Sequence, residues 1–191
     1  KIILEKLTGV PVLGVVPFAK DIYIEEEDSV GLHKKDQTTV SGQINIAVVL
    51  LPYISNYTDF NVLEKDSRTH VFYSNNPKNI TKADIIILPG SKNTIQDLIF
   101  LREKGIAKVL LEAHEEQKPI IGICGGYQML GKIIEDPWGI ESDIKAIPGL
   151  GIFPIHTQLT SEKTTIQCNF TFKEYPDIIS GYEIHMGQTM V

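Results

Sequence analysis

Cys124 lies in Gly122-Ile123-Cys124-Gly125-Gly126, between the apolar run Pro119–Ile123 and a segment of helical spacing. This is the G-x-nucleophile-x-G form of a strand-to-helix elbow, with Cys in place of Ser. So sharp a turn brings the flanking chain close together, so the positions two before and two after the nucleophile must be small. It would set the Cys124 sulfur at the positive end of the following helix, which favours thiolate, the reactive form. It would also aim the Gly125 N–H into the same space, as half of an oxyanion hole. The chemistry on offer is nucleophilic acyl transfer. A buried structural cysteine would explain the residue type, but not the strand, the helix and both glycines together. Cys168, in Thr165–Phe170, has no such context and is expected to be structural.

Acyl transfer needs a base, and the chain has five histidines. His33 falls in a polar stretch, His70 on a short candidate strand and His114 on a helix among glutamates, all pointing to surface roles. His156, between Pro154-Ile155 and Thr157, reads as a core or edge residue. His185 differs. Gly181–Gly187 (GYEIHMG) reads as a strand ending at a glycine, and strand ends are where a doubly wound sheet assembles its site. With a side-chain period of two, Glu183 and His185 share a face. His185 is the expected base. Glu183 could orient it, contact substrate or simply be solvated. The second oxyanion donor is expected in Leu88–Thr94 (LPGSKNT), at Gly90 or Ser91, where a glycine lets backbone N–H groups approach an anion closely. Lys92 in that loop could steer a carboxylate or lie in solvent.

The elements that must position these groups alternate. Ile44–Leu51, His70–Tyr73, Ile85–Leu88 and Pro119–Ile123 read as strands, the first and third as continuous apolar runs suited to burial on both faces. Thr94-Ile95-Gln96-Asp97 has the capping-box form and opens a helix that Gly105 can end. Ile106, Val109, Leu110 and Ala113 make one apolar helical stripe, and Gly126, Met129, Leu130 and Ile133 repeat the spacing. The expected fold is therefore α/β and three-layered, with a mainly parallel doubly wound sheet and helices on both faces. After Gly149, residues 151–160, 164–172 and 181–189 read as strands without helices, an antiparallel extension of that sheet. Near the start, Thr8–Pro17 reads as a short buried strand between turns, followed by the acidic run Glu25–Asp28, read as a solvated turn, and a polar linker from His33 to Gly42.

Composition narrows the rest. The 191 residues are 42% hydrophobic and 22% charged, which excludes a wholly disordered chain. A net charge of −6 argues against broad binding to nucleic-acid phosphates, and no apolar run is long enough to span a membrane. Two cysteines make no disulfide framework, and no signal peptide precedes the first strand, so a reducing cytoplasm is expected. There is no phosphate loop for ATP, no CxxC pair and no HExxH helix, so no metal site is expected. The chain starts at Lys1 and stops at Val191 just past a motif-like stretch, and reads as a piece of a longer polypeptide.

Gly122–Gly131 (GICGGYQMLG) resembles the nucleophile motif of the class I glutamine amidotransferases. In that family the Gln four residues after the Cys implies that Gln128 contacts the glutamine substrate. Val12–Pro17, Glu25–Val30, Ser55–Phe60 (SNYTDF), Leu88–Thr94 and Gly181–Gly187 extend the resemblance to the cobyric acid synthase branch over essentially the whole chain. The resemblance implies that residues 1–41 are the tail of an N-terminal ATP-dependent synthetase domain plus linker, and residues 42–191 a C-terminally truncated amidotransferase domain. It also implies glutamine as the ammonia source and ATP with Mg²⁺ bound by the synthetase domain rather than by this chain. The acceptor, adenosylcobyrinic acid a,c-diamide, would be reached through that domain. Typical class I members carry a Glu two residues after the catalytic His, where this chain has Gly187, so a Cys–His dyad is implied. The alternatives are the same chemistry on another acceptor, such as cobyrinic acid or a peptidoglycan lipid precursor, and a non-catalytic docking module.

Overall fold

Ile44–Val49 forms β1, and Ile46, Ala47, Val48 and Val49 are all buried. Successive strand side chains point to opposite faces, so unbroken burial means that both faces are covered. In the computed structural model, which describes residues 2–14, 39–173 and 175–191, β1 is the second strand of a four-stranded parallel sheet. β2 (Thr69–Ser74), β1, β3 (Ile85–Leu88) and β4 (Ile120–Gly122) stand side by side in that order. Each fully buried Ile, Val or Leu contributes roughly 1.5–3 kcal/mol by leaving water, so these short β-branched runs form the floor on which the loops stand.

The connections are α2 (Asn61–Glu64), α3 (Pro77–Ile80), α4 (Thr94–Glu103) and α5 (Ile106–Glu115), with α1 (Ile2–Thr8) preceding β1. The stripe expected on α5 is the buried one: Ile106, Val109, Leu110 and Ala113, with Ala107 beside them, pack it on α3, α4 and β4. The capping-box expectation for α4 is corrected. Asn93 is the N-cap, its side chain accepting the Gln96 N–H at 3.0 Å, while Thr94 lies inside the helix and Asp97 turns inward. α6 (Gly125–Met129) follows the Cys124 turn and stops before Ile133, which opens a strand instead.

The extension is present, but as a second, mixed sheet rather than added to the first, antiparallel where β6 meets β5 and β7 meets β8 and parallel where β5 meets β7. Its order is β6 (Ala146–Pro148), β5 (Ile133–Glu135), β7 (His156–Phe172) and β8 (Tyr175–Met190). Three expected strands are thus two long ones. The gap expected between residues 160 and 164 is a bulge: Leu159 pairs with Gly187 and Thr164 with His185, so four β7 residues face Met186 alone. β5 and β6 were not expected from the sequence.

α1, also unforeseen, buries none of its residues, and residues 11–14 are irregular rather than extended in a strand. Val15–Pro17, Glu25–Asp28 and His33 lie outside the described residues. Among the described residues, no helix is long and apolar enough to cross a membrane.

Candidate active site

Cys124 stands between β4 and α6 with φ 48° and ψ −112°, away from the wells that side chains ordinarily occupy. Such a conformation costs of order 1–3 kcal/mol and persists only where its surroundings hold it. Here Ile123 N–H donates to Leu88 O at 3.0 Å, Gly126 N–H to Ile123 O at 2.8 Å and Gln128 N–H to Cys124 O at 3.0 Å. The result is an exposed thiol on a rigid bend.

The loop after β3 passes directly beside it. A Cβ placed on Gly125 would lie 3.1 Å from Ser91 N, and one on Gly90 would lie 3.9 Å from Cys124 Cβ. The N–H groups of Gly90, Ser91 and Gly125 make no hydrogen bond among the described residues. Ser91 Oγ is committed, donating to Asp97 Oδ2 at 2.6 Å and accepting the Asn93 N–H at 3.0 Å, so what Ser91 can offer is its backbone. Asp97 is fully buried, and burial pushes its carboxyl up to about 6 against the opposing hydrogen bonds from Ser91 and Tyr53.

Two cavities of about 520 Å³ each meet at the thiol. Both are lined by Cys124, Gln128, Ile184, His185 and Gly187, so β8 brings His185 to the walls of the same cavities as Cys124. Glu183 lines one of them and holds His185, Oε1 to Nε2, at 2.7 Å. This pair is half-exposed, so its consequence is the orientation of the ring rather than stability. Gln128 is buried on α6, and a Cβ on Gly187 would come within 2.9 Å of Gln128 Nε2. The carboxylate touching the imidazole comes from two residues before His185 in the chain, not two after. His70, His114, His156 and Cys168 line neither cavity.

Several lining residues were not found from the sequence. Ser55, Asn56 and Asp59 enter the second cavity, from a stretch that had been read only as a family signature. Lys163, within the β7 bulge, joins them, as does Lys92 from the β3 loop. Among the described residues neither lysine is in an ion pair. Glu141 reaches the cavity wall by capping α4, accepting the Ile95 N–H at 3.2 Å and the Thr94 hydroxyl at 3.3 Å. Burial raises its carboxyl above the usual range. Its loop is tied by Asp136, whose carboxylate accepts the N–H groups of Ile140, Glu141 and Ser142 at 2.7, 2.8 and 3.1 Å. Burial acts to raise Asp136, and these donors outweigh it, leaving the carboxyl below its ordinary value. For Ser55, Asn56 and Asp59 the sequence signal was the SNYTDF stretch; for Lys163 and Glu141 there was only a charged residue outside any pattern.

Residues 45–191 match the CobB/CobQ-like glutamine amidotransferase domain. A cobyric acid synthase of Phocaeicola vulgatus is 54% identical over 186 residues, covering 97% of this chain and 38% of that protein. One of Parabacteroides distasonis is 54% identical over 190 residues, 98% of this chain and again 38% of the relative. The chain thus spans well under half the length of these relatives. Among solved structures, a glutamine amidotransferase superposes with a TM-score of 0.51 at 16% identity, covering 74% of this chain and 70% of the other, which is a likeness of fold. The match takes in the parallel sheet, the strained cysteine turn and the strand bearing His185, and the chain belongs to the CobB/CobQ-like glutamine amidotransferase domain family.

Proposed function

We propose that this chain releases ammonia from glutamine through a Cys124 thioester. The ammonia would pass to an ATP-dependent synthetase region that amidates adenosylcobyrinic acid a,c-diamide to cobyric acid. The observation that carries the reading is the juxtaposition of an exposed thiol on a strained bend with His185 and Gln128 around one cavity. The names of the relatives support the choice of acceptor. ATP and Mg²⁺ would be held by the synthetase region.

In this reading the Cys124 thiol gives its proton to His185, the resulting thiolate adds to the side-chain amide carbon of glutamine, and the amide oxygen becomes an oxyanion. The unengaged N–H groups of Gly125 and of Ser91 or Gly90 receive it; one such donor is worth roughly 3–4 kcal/mol in enzymes where it has been removed. His185, steered by Glu183, gives a proton to the leaving nitrogen as the tetrahedral intermediate collapses to the thioester. It then takes a proton from the water that hydrolyses the thioester to glutamate. Gln128 lines both cavities and is placed to contact the substrate amide or its stem. Lys92 and Lys163 supply the positive charge that the α-carboxylate of glutamine requires.

The acceptor is tested with glutamine labelled with ¹⁵N at the side chain, given with ATP and the corrinoid to the full-length protein. Label appearing in the corrinoid amides supports the reading; glutamate release with an unlabelled corrinoid sinks the choice of acceptor. A second expectation concerns Lys163. A hydrogen bond to a charged group is worth about 1.5–3 kcal/mol, so Lys163→Ala should raise the KM for glutamine roughly 10- to 100-fold while kcat stays within about threefold. An unchanged KM in steady-state assays would remove Lys163 from the binding site.

A further inference from the structure

Ser91 and Tyr53 lie on facing segments of a short antiparallel bridge, closed by Ser55 N–H to Gly90 O at 2.9 Å and Lys92 N–H to Tyr53 O at 2.8 Å. Two main-chain bonds are a weak fixture for a loop whose N–H groups must meet an oxyanion to within a few tenths of an ångström. Beneath the bridge, on the first turn of α4, sits Asp97, fully buried and in no ion pair among the described residues. One of its carboxylate oxygens takes the Ser91 hydroxyl at 2.6 Å and the other the Tyr53 N–H at 3.2 Å. A carboxyl buried without a cation is costly, and an aliphatic side chain would fill the space more favourably, so packing does not account for it.

We propose that Asp97 is a positioning residue for the oxyanion loop: by gripping Ser91 Oγ and Tyr53 N–H it fixes the Ser91 N–H beside Gly125, facing the Cys124 cavity. Asp97 touches no reacting atom and lines neither cavity. Its reach is through Ser91, whose Oγ also takes the Asn93 N–H, so the turn into α4 and the loop share one tether. The inference rests on the glutaminase reading and adds to it the group that holds the oxyanion donor in place.

The test compares Asp97→Ala, Asp97→Asn and Ser91→Ala in the full-length protein by kcat and KM for glutamine and by the rate at which iodoacetamide alkylates Cys124. Ser91→Ala keeps the backbone N–H and loses only the tether, so it stands even if Asp97→Ala does not fold. Removing an oxyanion donor outright costs roughly 10²–10³ in kcat; loosening one should cost roughly 10- to 100-fold, with KM within about threefold and alkylation unchanged. Asp97→Asn should recover to within about threefold of the parent, since its amide oxygen can accept the Tyr53 N–H and its NH₂ can donate to Ser91 Oγ. A parental kcat in Ser91→Ala, or a fall in kcat matched by an equal fall in alkylation, overturns the proposal. An absence of Cys124-dependent turnover in the parent protein is a different result, which defeats the glutaminase reading and this inference with it.

Discussion

Cys124→Ala should abolish glutamate release, by roughly 10⁴-fold or more, because Cys124 carries the only thiol among the described residues that line the cavities, and the neighbouring hydroxyls, such as those of Ser55 and Thr94, are far weaker nucleophiles. His185→Ala should cost roughly 10²–10⁴, the usual contribution of a positioned acid–base group, and the double variant little more than Cys124→Ala alone. Non-additivity is the informative part, since two groups that act as one unit cannot be removed twice. Cys168→Ala, whose sulfur is on β7 and lines neither cavity, should leave turnover intact. Acid-quenched protein incubated with glutamine should carry one added glutamyl group on the peptide containing Cys124, absent from Cys124→Ala. Turnover surviving in Cys124→Ala at a tenth of the parental rate would mean that the thiol is not the nucleophile, whatever its backbone geometry.

What could be read from the chain beforehand was what depends on near neighbours. The runs Ile44–Val49 and Ile85–Leu88 become buried parallel strands because continuous β-branched sequence suits a strand covered on both faces. The Cys124 turn was legible for the same reason, since its two glycines and flanking elements all lie within a few residues. Lys163 was not. Its place in the cavity follows from a pairing register across two strands, in which a bulge of residues 160–163 faces Met186. The sequence registered that bulge only as an interruption between two strands. Asp97 was misread as a capping-box residue because local spacing cannot reveal that Asn93 already caps the helix while Ser91 and Tyr53 wait on the other side. Glu141 belongs with it, a long-range partner brought to α4 by a loop that Asp136 folds. Gly187 departs from the wider family's pattern, and in the structure a Cβ there would come within 2.9 Å of Gln128 Nε2.

Gly126→Ala should cost more than any other single methyl in the site. Its Cβ would sit 2.0 Å from Leu88 O and 2.6 Å from Pro89 O, both backbone atoms that cannot rotate away. Relief requires α6 to lift from the end of β3, which breaks the approach that sets Cys124 beside the Gly90–Ser91 loop. Overpacking of this kind costs about 3 kcal/mol at the upper end of its usual range. For a chain of this size, 1 kcal/mol moves Tm by about 2–4 °C, so a fall of roughly 6–12 °C is expected, together with loss of glutamine turnover. Two controls separate the causes. Gly105→Ala meets open space at φ 75°, so it carries the conformational penalty of a positive φ without a clash, and should lower Tm slightly and leave kcat alone. Gly125→Ala meets Ser91 N and Cβ at 3.1 Å, tight enough to push the oxyanion loop but not to unseat the helix, so it should spare Tm and depress kcat. Gly126→Ala with parental Tm and parental turnover would mean that β3 and α6 do not approach this closely, and the site would then have to be assembled some other way.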